Sequence, residues 1–279
     1  MAYNSILTVL TDADLADATL TQAKALASAH DAHLDVLCLG VDRTQTGYYY
    51  AGANAMVLQE TLQRAGNEAS ELAERARKQL TGTALRWAVE EGVAQLADIA
   101  RHVASRARFS DLVCLPMPYG KDHGVELEPV TEGALFDGHV PVMIWPDGYP
   151  AMTPPKRIAL AWNESPEAMR AARAALPLLC AAEVVHIVVI DPPRHGPTRS
   201  DPGGMMAQFL ARHGVHADID VLSKTMPRVS DVLVRHVSDM SADLVVMGAY
   251  GHSRFREAIL GGATRNMLEV SPVPVFMTH

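Results

Sequence analysis

The sequence predicts an α/β protein of two tandem doubly wound domains, each a five-stranded parallel sheet flanked by helices. Three observations carry that expectation. Short runs of Val, Ile and Leu alternate with Ala-rich stretches of helical period, as buried parallel strands and their crossover helices require. The same succession occurs twice, at an offset of roughly 132 to 152 residues that drifts with loop length. Between the copies lies Pro146–Pro155, whose prolines and glycine sustain neither a helix nor a central strand. The domains are therefore expected at 1–147 and 155–279.

The elements follow in matched order. Each copy opens on an apolar strand, Ser5–Thr11 and Arg157–Asn163. An Ala-rich helical stretch comes next, Ala13–His30 and Ser165–Ala182, the second of which Pro177 should kink or end early. The second strands are Leu34–Val41 and Val184–Asp191. Helical stretches Gln95–Ala107 and Val229–Ser238 then lead into Asp-Leu-Val strands, Asp111–Leu115 and Asp243–Met247. Both copies close on Val-Pro-Val strands, Val140–Ile144 and Val273–Met277. Parallel strands joined by right-handed crossovers place ligands beyond their C-terminal ends, where the strand order reverses. Residues just after strands one, two and four are the ones to inspect. The aromatic run Gly47–Gly52 reads as a loop covering the sheet edge or as a domain contact.

Composition bounds the function. Apolar residues make up 48% and charged residues 20% of 279, the balance of a folded globular chain. A net charge of −8 with no basic run argues against a nucleic-acid partner, which needs clustered Lys and Arg. It leaves a nucleotide open, because backbone N–H groups hold phosphate without net positive charge. No apolar run reaches about 18 residues, so no membrane span is expected. The first residues lack the basic and apolar regions of a secretory signal, and the expected location is the cytoplasm. Cys38, Cys114 and Cys180 sit in or beside apolar runs and read as reduced core thiols. The twelve His show no metal-ligand spacing, so neither a metal site nor a catalytic acid–base pair is assigned.

The most informative segment is 248–266. Gly248 and Gly251 follow a buried strand, where a missing Cβ lets backbone turn sharply and approach a ligand. Gly261 and Gly262 precede Ala263, Thr264 and a helical run to about Val270. The free N–H groups of such a helix start, with the positive end of its dipole and the Thr264 hydroxyl, suit phosphate oxygens. Arg254, Arg256 and Arg265 raise the local potential. Alone, these glycines equally fit a tight turn and a close helix–sheet contact.

The pattern Gly248-x2-Gly251-x9-Gly261 resembles the nucleotide-binding signature of the universal stress protein family. Asn163-Glu164-Ser165, Ile190-Asp191 and Val273-Pro274-Val275 extend the likeness across the second copy. The resemblance implies an ATP pocket. Asn163 stands where the family usually has Asp near the adenosine, and Val189 where an apolar residue packs the adenine. Met247 and Gly248 fall beside base and ribose. Gly251, Gly261, Ala263 and Thr264 match the phosphate cradle. Gly262 replaces a Ser or Thr, which removes one hydroxyl donor. ATP is the expected ligand, with Mg²⁺ arriving on the nucleotide and ADP or AMP as alternatives.

In the first copy, Pro116 and Tyr119 replace Gly248 and Gly251, Thr11 stands at the position of Asn163, and Glu126, Glu128 and Pro129 fall near the phosphate position. Carboxylates repel phosphate and proline removes an N–H. This half is expected to act as a structural partner, the family dimer fused into one chain through the two Val-Pro-Val strands, and a homodimer of the whole chain is compatible. The implied function is a nucleotide-binding regulator of stress physiology with at most weak ATP hydrolysis. The alternative is an interaction scaffold with empty pockets. A Walker loop and a Gly-x-Gly-x-x-Gly after the first strand are both missing, against a P-loop enzyme or a dehydrogenase.

Overall fold

A computed structural model describes residues 2–43, 55–121, 123–151, 153–192, 201–249 and 262–279. The aromatic run 47–52 lies outside them. The chain divides into two compact units, Ala2–Val140 and Pro141–His279.

In the first unit, β1 (Ser5–Leu10), β2 (His33–Asp42), β3 (Arg86–Gln95) and β4 (Leu112–Pro116) form a parallel sheet in the order β3-β2-β1-β4. Helices α1 (Ala13–His30), α2 (Ala55–Leu80), α3 (Ile99–Ala107) and α4 (Leu127–Glu132) cross between strands or follow the last of them. Asp12 starts α1 by accepting a hydrogen bond from the Asp14 backbone N–H at 2.7 Å. Asp31 ends it in the left-handed region, at φ 50°. Ile6, Leu34 and Leu112 are wholly buried, so continuous aliphatic runs mark strands covered on both faces.

In the second unit, β5 (Val142–Trp145), β6 (Arg157–Ala161), β7 (Val184–Ile190), β8 (Ala217–Leu222), β9 (Leu244–Gly248) and β10 (Val275–Thr278) lie in the order β5-β10-β9-β6-β7-β8. All neighbours are parallel except β5, which runs antiparallel to β10 with Met143 opposite Phe276. The closing strand of the first sequence repeat thus belongs to the compact unit of the second. Its helices are α5 (Pro166–Ala174), α6 (Leu176–Leu179), α7 (Gly204–Arg212), α8 (Val229–Asp239) and α9 (Ala263–Val270). The Ala-rich stretch after β6 breaks at Ala175, and Pro177 sits at the start of α6, where its missing N–H costs least.

One device recurs in both repeats. The Asp111 carboxylate accepts from the backbone N–H groups of Asn4 and Ser5, at 2.7 and 3.2 Å. Asp243 does the same for Lys156 and Arg157, at 2.7 and 2.9 Å. The repeated Asp-Leu-Val therefore ties the start of the fourth strand to the start of the first. Cys38 and Cys114 are buried thiols; Cys180, expected in a core, is exposed at the end of α6. Burial pushes the Cys38 thiol up to about 12. Among the described residues no helix is long and apolar enough to cross a membrane.

Candidate functional site

Strand β6 pairs with β7 on one side and β9 on the other, so the sheet order reverses there and a crevice opens beyond the strand ends. A cleft of about 470 Å³ lies at that point, within the usual range for small-molecule sites. The turn after β6 forms its first wall. The Asn163 side-chain oxygen accepts from the Ser165 N–H at 3.1 Å. The Ser165 hydroxyl in turn accepts from the Ala168 N–H at 3.1 Å, and Pro166 occupies the first helical turn of α5. Asn163 thus spends its oxygen on local structure. Its amide remains at the rim, as exposed as the turn that carries it.

Strand alternation decides the second wall. Val188 and Ile190 of β7 line the cleft. Val189 does not: its side chain lies on the opposite face, beside Ile187 and Ile219 under Gly203 at the start of α7. The expected adenine-packing position is therefore filled by its neighbours, because consecutive strand residues point to opposite faces. From β9 come Met247, which is 7% exposed, and Gly248. A Cβ on Gly248 would stand 2.5 Å from the Ala168 backbone nitrogen. The glycine is required by the close approach of α5, independently of any ligand.

The third wall is the start of α9. Gly262 is its N-cap, in extended conformation, and offers no side-chain hydrogen bond to the helix. Ala263 is exposed and Thr264 is 3% exposed, and both line the cleft. Of the candidate residues, the cleft brings together Asn163, Met247, Gly248, Ala263 and Thr264. Gly262 adjoins them as the cap. Gly251, Gly261, Arg254 and Arg256 lie outside the described residues. Arg265 is turned along its own helix to Glu269, at 3.0 Å.

Helix α8, which packs against β7 and α9, supplies Val229, Ser230 and Leu233. Sequence reasoning missed these, and also Trp162 and Met267. Trp162 could have been found, since it directly follows β6; the α8 residues reach the cleft only through tertiary packing. Ser230 is 1% exposed, and its hydroxyl has no hydrogen-bond partner among the described residues. Glu167 is the only charged residue among the described lining, and Arg170 pairs with it at 2.7 Å. The cleft thus combines several apolar side chains, a buried Ser230 hydroxyl without a partner among the described residues, and the N-terminus of α9.

At the corresponding end of the first unit, Thr11 and Asp12 border a smaller cleft of about 260 Å³ together with Arg43, Glu68 and Arg75. Glu126, at the N-cap of α4, is wholly buried and ion-paired with Arg43, which also meets Glu68 at 3.2 Å. Tyr119 donates its hydroxyl to Glu128 at 2.7 Å. Two carboxylates are thus anchored at this end of the first unit, by Arg43 and Tyr119.

Residues 155–279 match the sequence profile of the Universal stress protein family. The universal stress protein Slr1230 of Synechocystis sp. PCC 6803 is 30% identical over 96 residues, which span 33% of this chain and 31% of that protein. The chain is similar in structure to a universal stress protein from Archaeoglobus fulgidus, with a TM-score of 0.69, 18% identity, and coverage of 99% of this chain and 96% of that one. A second similar structure, from Pseudomonas aeruginosa, has a TM-score of 0.59 at 16% identity, covering 99% and 93% of the two chains. At these identities the structural likeness speaks for the fold.

Proposed function

The second domain of this chain belongs to the universal stress protein family, and from that premise we propose that it binds an adenine nucleotide, ATP carried with Mg²⁺, in the cleft at the ends of β6 and β9. The protein then acts as a nucleotide-linked regulator of the stress response rather than as an efficient catalyst. The observation that carries the proposal is a cleft of about 470 Å³ with the N-terminus of α9 on one wall and the aliphatic side chains of Val188, Ile190 and Leu233 on others. The positive end of a helix dipole favours phosphate, and the aliphatic walls take the base. Thr264 adds a hydroxyl at the phosphate end, and Asn163 stands at the ribose side of the rim. The first domain serves as its structural partner, since Glu126 and Glu128 occupy the place of the cradle.

The test is calorimetric titration of ATP with Mg²⁺ into the whole chain and into Ala263→Glu. Ala263 is exposed in the first turn of α9. A carboxylate there favours the helix dipole, so the fold is kept, but it repels a phosphate. One site per wild-type chain is expected, weakened at least about tenfold in the variant. The scaffold reading draws on a different observation, that the only charged residue in the described lining is an acid. Absence of ATP, ADP or AMP binding by the wild type would replace the nucleotide reading with it.

A further inference from the structure

The geometry points to Ser230 as the residue that recognises the polar edge of the nucleobase, an assignment that rests on the nucleotide reading above and deepens it. Ser230 lies in the first turn of α8, lines the cleft and is 1% exposed. A hydroxyl withdrawn from water and left without a partner costs stability unless something else supplies the missing hydrogen bond. None of the described residues does so. Val229 and Leu233 of the same helix and Val188 and Ile190 of β7, all apolar, line the same cleft.

Such surroundings set the chemistry of the group that belongs there. A phosphate placed among these Val, Ile and Leu side chains would have to shed its water against aliphatic carbon. A planar heteroaromatic ring with an uncharged polar edge fits both features. Its faces rest on Val, Ile and Leu, and its edge meets the Ser230 hydroxyl. A serine hydroxyl both donates and accepts, so it can pair with a ring nitrogen or with an exocyclic amine.

The experiment compares wild type with Ser230→Ala in the whole chain, by thermal denaturation without ligand and by titration with ATP and with inorganic tripolyphosphate. Three results are expected together. The melting temperature of the free protein stays level or rises, because the variant removes a partnerless polar group. ATP binds about three- to tenfold more weakly, the loss of one neutral hydrogen bond. The response to tripolyphosphate is the same in both proteins. Equal ATP affinity in the two proteins would overturn the assignment while leaving nucleotide binding intact. A matching loss toward tripolyphosphate would move Ser230 to the phosphate end, and a melting temperature lowered by several degrees would make it structural; either overturns the assignment. Wild type that takes up no ATP would remove the nucleotide reading and this assignment with it.

Discussion

A glycine can be fixed by packing even where its position looks like a ligand loop. At Gly248 an added methyl would meet the Ala168 nitrogen at 2.5 Å and the Glu167 carbonyl carbon at 2.6 Å, both backbone atoms of α5. Neither retreats without moving the helix. Gly248→Ala is therefore expected to lower stability by about 1–3 kcal/mol, the usual range for overpacking. Chemical denaturation measures it; an unchanged midpoint would show that α5 yields freely. Gly262 differs. It caps α9 in extended conformation, with no side-chain hydrogen bond to the helix.

At the scale of elements, the two Asp-Leu-Val strands show what a sequence repeat can encode. The carboxylates of Asp111 and Asp243 each accept two backbone N–H groups at the entrance of the neighbouring strand. The Asp243 carbonyl also accepts from the Tyr149 hydroxyl at 3.3 Å, fastening the Pro-rich segment before β6. Asp243→Ala leaves two strand-entry donors to water at an exposed edge. A loss of about 1–3 kcal/mol is expected, as for hydrogen bonds to a charged acceptor. Hydrogen exchange at Lys156 and Arg157 should quicken in the same variant, while exchange in β8 should not. Uniform quickening throughout the domain would contradict this local role.

For the molecule as a whole, acid stability follows from histidines that the fold keeps neutral. Burial lowers the pKa of His30 and of His102 below the ordinary value of about 6.5. His30 sits edge-on to the Tyr3 ring at 4.9 Å, and His102 carries a buried ring nitrogen without a partner among the described residues. For a lowered histidine the unfolded chain binds the proton first. The stabilisation is therefore present above about pH 6.5 and is lost as pH falls below it toward the folded values. Unfolding free energy should decline between about pH 6.5 and 5, and His102→Gln should flatten that slope. A slope unchanged by the substitution would place the acid sensitivity elsewhere. Glu90, whose carboxyl the Arg106 side chain holds low, contributes only at more acid pH.

The sequence by itself determined the duplication, the α/β class and the strand ends that face the cleft. Each is written in local periodicity, and the resemblance to the universal stress protein signature singled out Asn163, Met247, Gly248, Ala263 and Thr264, which line the cleft. The half-exposed edge strands β3 and β8 were not legible as apolar runs, since alternate positions in Arg86–Gln95 and Ala217–Leu222 meet water and carry charge. The pairing of β5 with β10 was legible too, as the meeting of the two Val-Pro-Val strands. Only the tertiary structure decided two further matters. It turned Val188 and Ile190, not Val189, toward the cleft, because a period of two shows that neighbours diverge but not which face a helix will cover. And it carried α8 against β7 and α9, bringing Ser230 into the cleft, a placement set by long-range packing that no local pattern records.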